Sequence, residues 1–177
     1  MEYVALACRW VICGVFLAAA LSKVRNRGAW TAFLSAVSQL VPPAPSMPLG
    51  VLVVGVELAV AVLVALPPTV GAGLALAAGM LVVFSLAIWS ALRRGVAVTC
   101  RCFGWSDAPV SRAHLWRNGA LVAVAVTGLA ARQAAAGVAP HPAGVAVSLA
   151  AALVLIVVVT FADDLAWLVS GTSSGRA

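Results

Sequence analysis

Residues with reaction chemistry gather in two places along this chain. The first is Thr99-Cys100-Arg101-Cys102-Phe103-Gly104, where two thiols stand one residue apart with Arg101 between them and Arg93 and Arg94 upstream. Neighbouring cations favour the thiolate, which is the nucleophilic form. A disulfide between positions two apart closes a small, strained ring, and strained disulfides exchange readily with other thiols. Cys100 and Cys102 are therefore a candidate redox pair, with Arg101 stabilising thiolate; the same spacing also reads as two small apolar residues in a loop. His114 is the nearest histidine, a candidate for proton transfer beside the thiols or a merely solvated side chain. A zinc site needs about four ligands and only His114 lies close, so no metal site is expected.

The second place is Glu57, alone in an apolar run where a charge costs roughly 3 kcal/mol on insertion scales. Its candidate partners are Arg9 and Lys23, and it reads either as a functional carboxyl or as half of a packing ion pair. Arg9 lies one turn from Cys13 on one face of the first helix. Cys8 and Cys13 are five positions apart, an axial rise of about 7.5 Å, beyond the Cα separation of about 7 Å that a disulfide tolerates. Buried packing is the expected role for both.

The elements that must position these residues follow from composition. Hydrophobic residues make up 64% of the 177 and charged residues 9%, against roughly 45–50% and about 25% in soluble proteins. With a mean hydropathy of +1.11, that balance excludes an ordinary soluble domain and equally excludes disorder. A net charge of +6 would suit nucleic acid, but the bases are scattered among apolar runs with no basic stripe, so no nucleic-acid partner is expected. The solvent is a lipid bilayer.

A helix needs about 20 apolar residues to cross roughly 30 Å of hydrocarbon. Five runs meet this, at about 4–22, 49–66, 70–92, 119–136 and 143–162, with Pro67-Pro68 separating the second from the third. The sequence shows no period-two alternation of a barrel wall. The expected fold is all-α, a single integral membrane helical bundle of about five transmembrane helices spanning 1–177. Loops 23–48 and 93–118 lie between spans. In the first loop Trp30, Phe33, Leu34, Val37 and Leu40 recur at helical spacing between Gly28 and Pro42-Pro43, which predicts an interfacial amphipathic helix. The first span ends in Ala18-Ala19-Ala20 like a signal peptide, but residues 1–8 hold Glu2 and no base, so a retained span is expected.

Nine of the eleven Lys and Arg residues fall in the two loops and the tail. The positive-inside rule then puts both loops in the cytoplasm and the N-terminus outside. Five crossings place Cys8 at the face opposite the Cys100 loop, and leave Cys13 near mid-depth.

These residues together resemble the methylamine utilisation protein MauE family, within the wider group of small DoxX-like redox-associated membrane proteins. The likeness runs through an arginine, Phe16 and Lys23 around the first span and Pro48 and Glu57 in the second. It continues in Cys100-Arg101-Cys102-Phe103-Gly104 and Arg117-Asn118, with Arg101 standing where the family has glycine. The resemblance implies a redox protein of the bacterial cytoplasmic membrane that supports disulfide formation in an exported partner such as a methylamine dehydrogenase subunit. It also implies a thioredoxin-like or exported thiol partner, with a quinone as the possible electron carrier. Vitamin K epoxide reductase-like proteins, similar in architecture, carry their cysteine motif on the extracytoplasmic side, which sets the opposite expectation for the loops. A noncatalytic membrane assembly factor and a small transporter using Glu57 stand as alternatives.

Overall fold

The computed structural model describes residues 1–95, 112–134 and 141–171, with side chains to residue 160 in the last stretch. Six helices follow in order: α1 (Glu2–Val24), α2 (Arg27–Leu40), α3 (Ser46–Ala65), α4 (Val70–Arg93), α5 (Arg112–Gln133) and α6 (Pro142–Gly171). Pro67–Thr69 forms a 3-10 turn between α3 and α4, where paired prolines end one helix and start the next. No strand occurs among the described residues.

Helix α1 is the centre of the bundle, packed against α3, α5 and α6. Contacts fix the directions. Lys23 meets Glu57 and Arg9 meets Val64, so α3 runs against α1. Gly128 lies against Cys8, while Asn118 shares a cavity with Lys23, so α5 also runs against α1. The Ser148 hydroxyl donates to the Tyr3 carbonyl at 3.2 Å and Ile156 packs on Gly14, which makes α6 parallel to α1. Helix directions thus alternate through α1, α3, α4, α5 and α6. One end of the bundle collects the last turn of α1, all of α2, Arg93 and Arg112; this is the loop end. The far end holds Met1, the Pro67–Thr69 turn and Gln133.

Ile12, Val60, Val64, Leu74, Ala77, Leu121 and Ala125 form the buried core, each at most 2% exposed. Outside it, Leu52, Val62, Val83, Leu86 and Val158 face outward at more than half of their surface, an inverted pattern that suits hydrocarbon. Small residues bring the backbones close: a Cβ on Gly128 would stand 2.9 Å from the Cys8 Cβ, so only glycine lets α5 approach α1 here.

Four segments are long and apolar enough to cross a membrane, Glu2–Val24, Ser46–Ala65, Pro67–Arg93 and Pro142–Thr160. The run 119–136, expected as a fifth span, belongs to α5, which starts seven residues earlier at Arg112 and is not among the four. Arg112, His114, Arg117, Arg132 and Gln133 lower its hydropathy. Even so, its 22 residues reach about 33 Å and lie alongside the core from the level of Lys23 to that of Cys8.

The amphipathic helix expected in the first loop is α2. The Asn26 side chain caps it by accepting from Ala29 N–H at 2.8 Å, and Ala29, Phe33, Ala36, Val37 and Leu40 are buried against the bundle. At its other end the Arg94 guanidinium donates to the Leu40 carbonyl at 2.7 Å and to that of Gln39 at 3.3 Å. That contact ties the end of α4 to the orphan carbonyls of α2.

Candidate functional site

The polar centre of the bundle lies at the loop end and is built by α1, α3 and α5. Glu57 sits eleven residues into α3, and the antiparallel register sets it beside the last turn of α1. There the Lys23 ammonium donates to Glu57 Oε1 at 2.7 Å and to the Ala19 carbonyl at 3.1 Å. Both side chains are buried, at 2% and 5% exposed. Burial of two charges is costly, and it is offset here by short contact and by the negative C-terminal end of the α1 dipole. Phe33 from α2 closes the site, its ring 5.4 Å from the ammonium and 5.7 Å from the Trp30 ring.

Of the two partners expected for Glu57, the structure selects Lys23. Arg9 serves a different purpose at the far end, donating to the Val64 carbonyl at 2.8 Å and the Ala65 carbonyl at 2.6 Å. Those are orphan acceptors in the last turn of α3, so Arg9 caps a helix. The Cys13 thiol contacts the Ala61 carbonyl at 3.6 Å, and Cys8 is buried against α5; neither is in a disulfide.

Beside the ion pair lies a cavity of about 40 Å³. Lys23, Glu57, Arg117 and Asn118 supply its polar lining, and Phe16, Leu81, Phe84, Ile88 and Leu121 most of the rest. Glu57 Oε2 has no hydrogen-bond partner among the described residues. Asn118 is buried at 5% exposed. Its place in this cavity was not evident from the sequence; the one signal was a polar Arg117-Asn118 step at the head of an apolar run.

His114, expected as a loop residue, lies in the first turn of α5 and is buried at 3% exposed. Trp116 is 81% exposed near the loop end, the placement of an interfacial anchor. Cys100, Arg101 and Cys102 lie outside the described residues. Their flanks do not: α4 ends at Arg93 and α5 begins at Arg112, both at the loop end.

Alternating apolar helices around a buried lysine–glutamate pair define a small integral membrane protein with several spans. The chain belongs to the methylamine utilisation protein MauE family, whose model matches residues 1–131. The match runs from α1 almost to the end of α5 and leaves α6 outside it. None of the curated proteins and none of the solved structures matches this chain.

Proposed function

We propose that this protein is a membrane-embedded thiol–disulfide redox protein of the bacterial cytoplasmic membrane, with Cys100 and Cys102 as the exchanging pair. The observation that carries the reading is the Cys100-Arg101-Cys102 motif strung between Arg93 and Arg112, two helix ends at the same end of the bundle as the buried Lys23–Glu57 pair. Membership of the methylamine utilisation protein MauE family supports a task in that process; the partner in this reading is an exported protein of it, such as a methylamine dehydrogenase subunit.

The exchange balances as follows. A partner thiolate attacks one sulfur of the Cys100–Cys102 disulfide, forming a mixed disulfide and releasing the other cysteine as thiolate. The partner's second thiolate then attacks the mixed disulfide, leaving the partner oxidised and both cysteines reduced. Two electrons have moved, and the two cysteines gain two protons on becoming thiols. A membrane quinone accepts two electrons and two protons to restore the disulfide. Arg101 favours the thiolate that leaves and attacks in these steps. His114 is a candidate to hand on the protons.

Complementation tests the reading. A strain carrying Cys100→Ser with Cys102→Ser should fail to oxidise the partner, although the variant accumulates in the membrane at normal levels. Full complementation by that variant would replace the redox reading with a noncatalytic assembly factor, which the exposed Trp116 on α5 would suit.

A further inference from the structure

We propose that the cavity at the loop end is a hydrated proton-exchange site centred on Glu57, which takes up and returns the protons that accompany electron transfer. The inference rests on the redox reading above and adds to it the group that holds the proton inside the bundle.

Three observations converge on it. Glu57 Oε1 is occupied by Lys23, while Oε2 has no hydrogen-bond partner among the described residues and belongs to a side chain 5% exposed. A buried carboxylate oxygen left unsatisfied is costly, so a proton or a water is expected at it. The cavity that Glu57 lines has about 40 Å³ of room, where about 10–15 Å³ suffices for one water. A water also needs two to four polar partners, and Glu57, Asn118, Lys23 and Arg117 supply them.

The charged groups around Glu57 make it a poised acceptor. Lys23 approaches from α1 and Arg117 from α5, while α4 contributes only Leu81, Phe84 and Ile88. His114, one turn before Asn118, is buried but does not line the cavity. Lys23 therefore holds the carboxylate until a proton arrives by water, and the ion pair loosens when it does. The step is a simple proton transfer: an O–H bond forms at Oε2 as one breaks on water, and the reverse returns it. Glu57 touches neither thiol in this account and is a proton-holding residue.

The test uses full-length protein in nanodiscs, cycled between oxidised and reduced states, with infrared difference spectra and free-thiol counts by mass on the same samples. The expected result is a carbonyl band of protonated carboxyl that appears on cycling, shifts in heavy water and is missing from Glu57→Gln. Asn118→Leu, which fills the cavity and leaves the ion pair alone, should weaken the band and slow its deuterium shift at least tenfold. If the thiols cycle and no band depends on Glu57, the proton site is wrong and the redox reading survives. If the thiols never cycle, the redox reading fails and takes the proton site with it.

Discussion

Removing either half of the buried pair should cost far more than removing both. Glu57→Leu leaves the Lys23 ammonium, 2% exposed, without the carboxylate that stands 2.7 Å away. Lys23→Met strands the carboxylate in the same way. Breaking a buried pair from one side costs about 3–5 kcal/mol, whereas replacing both members by apolar side chains of similar volume is near neutral or stabilising by about 1–4 kcal/mol. At 1.4 kcal/mol per factor of ten, each single variant should shift the folding equilibrium by roughly two to three and a half orders of magnitude. The double variant Lys23→Met with Glu57→Leu should return to within about 1 kcal/mol of the parent or exceed it. The four proteins can be compared by reversible unfolding in mixed micelles titrated with SDS, which yields the coupling energy directly. Two single variants each within about 1 kcal/mol of the parent would refute the reasoning, because a solvated surface pair gives that result. A double variant as unstable as the singles would refute it differently, by showing that the polar groups are needed for the packing itself.

Three further outcomes follow from named contacts. Gly128→Ala should destabilise the bundle by about 1–3 kcal/mol in the same unfolding assay, because its Cβ meets the Cys8 Cβ and Leu74, and Cys8→Gly should recover part of the loss. Arg9→Met should cost about 1.5–3 kcal/mol by releasing the Val64 and Ala65 carbonyls, while Cys8→Ser leaves thiol exchange at the opposite end unchanged. Asn26→Ala should cost about 1 kcal/mol and raise hydrogen exchange selectively in α2, whose first turn loses its cap. A membrane-impermeant maleimide applied to intact cells decides between the two topologies: the base asymmetry predicts that Cys100 and Cys102 stay unlabelled, whereas a partner oxidised after export requires strong labelling before lysis.

Much of the architecture could be read from hydropathy alone, since lipid imposes one rule on every span and the Pro67-Pro68 break is local chemistry. Helix α2 was equally legible, because Phe33, Val37 and Leu40 repeat on one face and Pro42-Pro43 stops it. What the sequence concealed was register. Lys23 and Arg9 lie on the same helix and both suit a carboxylate, and only the depth at which α3 packs on α1 decides between them. Helices apolar all round carry no face that announces its partner, so that depth is a tertiary property. The start of α5 was hidden for a related reason. Arg112, His114 and Arg117 read as loop beside a strongly apolar run, yet His114 and Asn118 are buried on the inner face of the helix. The orphan Oε2 of Glu57 belongs to the same class of fact, visible only once three helices are assembled.

The central claim, that Cys100 and Cys102 cycle as a redox couple, is tested most directly by trapping thiols in acid and counting them by mass. Membranes would be taken from cells under oxidising and reducing conditions and the peptide holding both residues recovered. The account predicts that this peptide loses two free thiols on oxidation, as an internal or mixed disulfide, and regains both on reduction, with Cys8 and Cys13 unchanged throughout. Cys100 and Cys102 remaining reduced under oxidising conditions would contradict it.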